Sequence, residues 1–125
     1  MIDWEKITIK PNDSLENGIK VLQEGGCRII LVVDGHKKLL GTVTDGDIRR
    51  ALMTGKTMVS KVSDVMNISP VTAKKTDSRK KILSLMNDMS IIHIPIIEEN
   101  GEVCGLETLQ LLHEKPSYDN PVFLM

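Results

Sequence analysis

The sequence predicts an α+β fold built from one strand–helix–strand–strand–helix unit used twice, and three observations predict it. Asp13-Ser14 recurs 64 residues later at Asp77-Ser78, and the same ungapped offset carries Gly41 to Gly105, Thr44 to Thr108, Thr8 to Thr72, Lys10 to Lys74 and Ile30 to Ile94. In each copy a helical apolar period gives way to a continuous branched run, the change expected where a helix hands over to a buried strand. Each copy then reaches Gly-x-x-Thr, where a strand ends and a helix begins. One copy of about 50 residues is too small to bury both faces of its strands. The two are therefore expected to pack sheet to sheet as one pseudo-two-fold body. The expected boundaries are residues 1–60 for the first repeat, 61–115 for the second, and 116–125 for a linker and the truncated first strand of a following domain.

Taken in order, Ile7 to Lys10 reads as a short extended stretch with Ile7 and Ile9 on one face. Asp13 is an N-cap candidate with Glu16 completing a capping box. Leu15, Ile19 and Leu22 form the apolar stripe of the helix that Gly25-Gly26 stops. Ile29-Ile30-Leu31-Val32-Val33 has the composition of a strand buried on both faces. Asp34-Gly35 turns the chain, Leu39 to Val43 returns as the partner strand, and a second helix runs from Thr44 to near Gly55. Lys56 to Met66 connects the copies with one helical turn ending at Asp64-Val65-Met66, and Pro70 opens the next extended stretch. Asp77 or Ser78 caps the third helix, whose Ile82, Leu85, Met86 and Met89 fall at helical spacing and read as core. Ile91 to Ile97 is the buried strand, and Pro95 within it indicates an irregular or edge position. Asn100-Gly101 is a hairpin turn, and Thr108 to His113 is a short closing helix.

The composition narrows the function classes. Of the 125 residues 41% are apolar, enough for a globular interior, and a net charge of −1 offers no basic footprint for nucleic acid. The aromatic residues Trp4, Tyr118 and Phe123 sit near the ends, so no mid-chain surface exists for stacking single-stranded bases. A bound base would instead lie between aliphatic side chains. Cys27 and Cys104 are far apart and lack Cys-x-x-Cys spacing, as expected of buried, reduced thiols. Met1 to Lys6 carries no apolar signal core and no run reaches membrane-spanning length, so a cytoplasmic location and no membrane partner are expected. His36, His93 and His113 have no metal-ligand spacing, and His93 reads as a core histidine. With no nucleophile–base set, P-loop or Rossmann glycine pattern, neither a metal nor catalysis by this chain is expected.

The chemistry concentrates in Gly41-Thr42-Val43-Thr44-Asp45-Gly46-Asp47-Ile48-Arg49-Arg50. Thr44 is an N-cap with Asp47 as its capping-box partner. The first helical turn offers unpaired N–H groups and the positive end of a dipole to a phosphate. Asp47 repels a phosphate but suits the two hydroxyls of a ribose, and Arg49 and Arg50 can neutralise anionic oxygens.

A tandem repeat of this topology, with Gly41, Thr44 and Asp47 as Gly-x-x-Thr-x-x-Asp after the third strand, resembles a pair of cystathionine β-synthase (CBS) domains, the Bateman module. The passage from Asp64-Val65-Met66 to Pro70-Val71-Thr72 resembles the start of a second such domain, and the likeness spans Ile7 to His113. The resemblance implies a regulatory module for an adenine nucleotide (AMP, ADP or ATP) or an S-adenosyl ligand, a homodimer, and an attached catalytic domain. It places Thr44 on phosphate or ribose and Asp47 on the ribose diol, with Thr42 and Arg49 assisting and aliphatic groups around Ile9, Ile29 and Ile30 lining the base. In the second copy Leu111 stands where Asp47 does, which leaves Thr108 as a helix cap and implies one competent site per chain. The Trp4 opening, the Gly41–Arg50 core and the Pro121-Val122-Phe123-Leu124-Met125 ending resemble the N-terminal CBS pair of sugar-phosphate nucleotidyltransferases. The alternative reading of the same residues is a ligand-free dimerisation scaffold, in which Thr44 and Asp47 only cap a helix.

Overall fold

Two three-stranded sheets carry the fold, which the computed structural model describes for residues 4–109. The first half runs from a 3-10 turn, Trp4–Ile7, through β1 (Thr8–Ile9), α1 (Leu15–Gly25), β2 (Ile29–Val33) and β3 (Leu39–Thr44) to α2 (Asp45–Met53). After a 3-10 turn at Val62–Asp64, the second half repeats the order with β4 (Ala73–Lys74), α3 (Arg79–Met89), β5 (His93–Ile97) and β6 (Val103–Thr108). The sheets are ordered β1-β2-β3 and β4-β5-β6, with the first pair of each parallel and the second antiparallel. The closing helix expected from Thr108 to His113 falls almost wholly outside the described residues, as do Leu111 and residues 116–125.

The 64-residue offset holds at the level of single residue pairs. Ile29↔Thr44 in the first sheet matches His93↔Thr108 in the second, and Ile9↔Val32 matches Ala73↔Ile96. Even the register shift recurs, at Val32/Val33 and at Ile96/Ile97. Ahead of each first helix a carboxylate turns back: Asp13 Oδ2 accepts from Lys10 N at 3.0 Å, and Asp77 Oδ2 from Lys74 N at 2.8 Å. The N-caps are therefore Ser14 and Ser78, which accept from Asn17 N and Lys81 N. The Asp13–Glu16 capping box does not form. Asp13 is committed to Lys10, its carbonyl accepts from Val62 N, and the Glu16 N–H donates to the Met58 carbonyl.

β2 is buried along its whole length, and its alternation splits the core. Ile30 and Val32 pack with Ile9, Leu15, Leu22, Val43, Ile48 and Val62 on the helical side. Ile29, Leu31 and Val33 face the other sheet and meet Val103 and Leu106 of β6, with Ile7. Ala73, Ile82, Met86 and Ile94 fill the helical side of the second sheet.

Pro95 departs from expectation, since β5 is the middle strand of its sheet. Ile92 O accepts from Leu109 N on the β6 side, whereas Ile97 O accepts from Lys75 N on the β4 side. Backbone polar groups alternate sides along a strand, so the Pro95 nitrogen faces β4. That strand pairs only with Ile96 and Ile97, so the position is an edge locally and no ladder hydrogen bond is lost.

Candidate functional site

The start of α2 is built as a closed capping box. Thr44 lies in an extended conformation (φ −117°, ψ 174°), and its Oγ1 accepts from Asp47 N at 3.4 Å. Asp47 Oδ2 accepts in return from Thr44 N at 2.9 Å and from the Thr44 hydroxyl at 3.1 Å. The other carboxylate oxygen, Oδ1, accepts from Arg50 Nη2 at 2.6 Å. These bonds fix the helix start and hold Asp47 at the surface of a cleft.

Gly41 sets the width of that cleft. A Cβ there would stand 2.6 Å from Asn67 O and 2.8 Å from Met66 Sδ, so only glycine lets the connecting segment approach β3 this closely. Thr42 and Asn67 exchange backbone hydrogen bonds at 3.1 and 2.8 Å, which fixes the segment in place. Asn67, Ser69, Pro70 and Val71 then form one wall of an open cleft of about 630 Å³. Met89 to His93 and Pro95 also line it, and Arg28, Ile29, Thr42, Thr44, Asp45, Gly46, Asp47 and Arg50 complete it. The cleft thus lies between the two repeats.

Of the residues singled out in the sequence, Thr42, Thr44, Asp47 and Ile29 line this cleft. Ile9 and Ile30 do not: both are buried on the helical side of the first sheet, because β-strand alternation turns Ile30 away from Ile29. Arg49 is exposed and outside the lining, whereas Arg50, three residues after Asp47 and so on its helical face, is in it. Pro70, Val71, Ile91, Ile92 and Pro95 supply the aliphatic surface expected of Ile9 and Ile30. Nothing local in the sequence marks these residues, since they join the cleft through tertiary contacts and not along the chain.

Charge in the lining is balanced, with Arg28 and Arg50 set against Asp45 and Asp47. Burial pushes the His93 imidazole below its ordinary pKa of 6.5; a hydrogen bond to the Cys27 backbone opposes this and Arg28 adds to it, so the ring is neutral at pH 7. At the symmetry-related position two lining residues are replaced by core residues. There Leu106 replaces Thr42 and Ile7 replaces Val71, and both belong to the apolar cluster between the sheets. Among the described residues no group of three or more His, Cys, Asp or Glu is placed to hold a metal ion, and no helix is long and apolar enough to cross a membrane.

A family model described as "CBS domain" matches residues 2–54 and 62–106. The chain belongs to the CBS domain family. It is a tandem CBS pair, one domain to each half of the 64-residue repeat. Inosine-5′-monophosphate dehydrogenase of Methanocaldococcus jannaschii is 30% identical over 112 residues, which are 90% of this chain and 22% of the dehydrogenase. Arabinose 5-phosphate isomerase GutQ of Escherichia coli K12 is 26% identical over 97 residues, 78% of this chain and 30% of the isomerase. The CBS pair thus spans about a fifth to a third of the curated relatives it matches. Among solved structures, a CBS domain pair in complex with 5′-methylthioadenosine and S-adenosyl-L-methionine superposes with a TM-score of 0.74 at 26% identity, over 83% of this chain and 82% of that one. The cytosolic domain of the Mg2+ channel MgtE, in complex with ATP, shares the fold with a TM-score of 0.72 at 20% identity, over 83% of this chain and 42% of that one.

Proposed function

We propose that this CBS pair is a regulatory module that binds one adenosine-containing ligand in the cleft between its repeats. The observation that carries the reading is the placement of Thr44 and Asp47, fixed by a closed capping box, on an aliphatic-walled cleft of about 630 Å³. That volume falls in the range of small-molecule sites. Asp47 supplies the acceptor for a ribose diol, and Thr42 and Thr44 supply hydroxyls beside it. The base lies against the aliphatic surface of Pro70, Val71, Ile91 and Ile92. The structural relative solved with two adenosyl ligands supports this class of ligand, and AMP, ADP and ATP are the nucleotides to test beside S-adenosyl compounds. Arg49 is left without a part in the reading.

The CBS pair works, on this reading, as a homodimer that reports ligand occupancy to an attached catalytic domain. The matched relatives are a dehydrogenase and an isomerase. The resemblance of Pro121–Met125 points instead to a sugar-phosphate nucleotidyltransferase, and those residues lie outside the described structure. One observation favours the alternative of a ligand-free scaffold: both Asp47 oxygens are already engaged within α2 and its cap.

A thermal-shift panel of AMP, ADP, ATP, S-adenosylmethionine and 5′-methylthioadenosine separates the two. A ligand at a hundredfold over its dissociation constant stabilises by about 2.7 kcal/mol, or roughly 10 °C for a chain of this size. The expected result is such a shift with one of these ligands, lost in Asp47→Ala. Absence of a shift with all five leaves the scaffold.

A further inference from the structure

Resting on the adenosine reading of the cleft, we propose that Arg50 is a selectivity latch, closed on Asp47 in the free protein and opened only by a ligand that carries a phosphate. The two oxygens of Asp47 have different duties. Oδ2 receives the Thr44 N–H and hydroxyl and so maintains the helix start. Oδ1 receives Arg50 Nη2 at 2.6 Å and has no part in the cap. A ribose diol therefore has to engage Oδ1, the atom that Arg50 holds.

The pair is asymmetric in exposure. The Asp47 side chain is 11% exposed and the Arg50 side chain 71%, so the arginine is the partner that can leave. Its guanidinium nitrogens lie 3.6 and 3.9 Å from where a Cβ on Gly46 would stand, across the first turn of α2. First-turn N–H groups have no partner within their own helix, and there a phosphate meets both them and the released guanidinium. A phosphorylated nucleoside thus exchanges one anion for another on Arg50 while its ribose takes Oδ1. An uncharged thioadenosyl ligand breaks the pair and returns nothing to Arg50. S-adenosylmethionine brings a carboxylate, but its sulfonium and ammonium leave it a net cation beside Arg28 and Arg50. The latch therefore selects phosphorylated nucleosides over thioadenosyl and S-adenosyl ones.

The test is isothermal titration of the full chain and of Arg50→Gln with AMP and with 5′-methylthioadenosine, each protein first shown to melt at the same temperature. Wild type is expected to bind AMP about tenfold or more tightly than 5′-methylthioadenosine, the worth of one charge-assisted contact. In Arg50→Gln, AMP loses the phosphate contact and the cost of opening the pair together, so its affinity changes by less than about threefold. Affinity for 5′-methylthioadenosine rises by about tenfold, because no pair has to be broken, and the ratio collapses towards one. A fall in AMP affinity with 5′-methylthioadenosine unmoved overturns the latch and leaves Arg50 a plain phosphate contact. Binding of both ligands with a ratio that Arg50→Gln leaves unmoved overturns the latch and spares the adenosine site. Failure of wild type to bind either one overturns the site and the latch together.

Discussion

A single missing methyl group decides how the cleft is built. At Gly41 a Cβ would press into the Asn67 carbonyl at 2.6 Å, and a backbone atom cannot rotate aside as a side chain can. At Gly105, its partner in the repeat, a Cβ would sit 3.7 Å from Ile96, an ordinary contact. The two glycines occupy matching strand positions, at Val32↔Gly41 and Ile96↔Gly105, so the same substitution gives a controlled comparison. Gly41→Ala is expected to cost about 1–3 kcal/mol through overpacking, whereas Gly105→Ala stays within about 0.5 kcal/mol of wild type. Urea melts of the two variants measure this. Equal losses would show that the approach of Asn67 does not depend on Gly41. Because that approach also places Ser69 to Val71 on the cleft, Gly41→Ala should weaken ligand binding as well as the fold.

At the scale of elements, the connecting segment proves to be part of the first repeat's core. Ser60 O and Met58 O accept the first N–H groups of α1, and Val62 is fully buried against Ile9, Leu15 and Ile30. Val62→Ala should lower stability by on the order of 2 kcal/mol, the transfer and cavity cost of two methyl groups. Val59, 85% exposed three residues earlier, should tolerate alanine within about 0.5 kcal/mol. The midpoint in urea should fall for Val62→Ala with an unchanged slope; matched midpoints for the two variants would show the segment undocked. The segment also marks where the sequence stops being legible. β2 and the Thr44–Asp47 cap could be read because each is encoded in a short window, one by an unbroken branched run and the other by a spacing of three. Val62, Val65 and Met66 stand at i, i+3 and i+4, a helical spacing, but one turn of it does not say which sheet the turn packs on. The far walls of the cleft were hidden for the same reason, as they reach α2 through space and not along the chain. At Asp13-Ser14 two good capping residues stand side by side, and only the Lys10 and Val62 contacts of Asp13 decide between them.

At the scale of the whole molecule, His93 ties the two repeats together: it opens β5 and is hydrogen-bonded to the backbone of Cys27, just ahead of β2. It also lines the cleft beside Arg28. Burial, reinforced by Arg28, holds its pKa below 6.5 in the folded chain. The unfolded chain thus takes up the proton more readily, and linkage fixes the sign. The stability this neutral imidazole contributes is complete above pH 6.5 and is lost as pH falls below 6.5 towards and through its folded pKa. Asp34 and Asp77 are also held below their ordinary 3.8, by backbone N–H groups of Lys38 and His36 and of Lys74 respectively, so their contributions fade only in a separate, more acidic window. Urea unfolding followed from pH 7.5 down to pH 5 should therefore show stability declining, with the decline flattened in His93→Gln. If the variant kept the wild-type slope across that range, His93 would not be the group that couples the seam between the repeats to pH. Because this imidazole also faces the cleft, a ligand that binds with His93 neutral should lose affinity over the same interval. Affinity and stability would then fall together on acidification, through one proton held at the junction of the two halves.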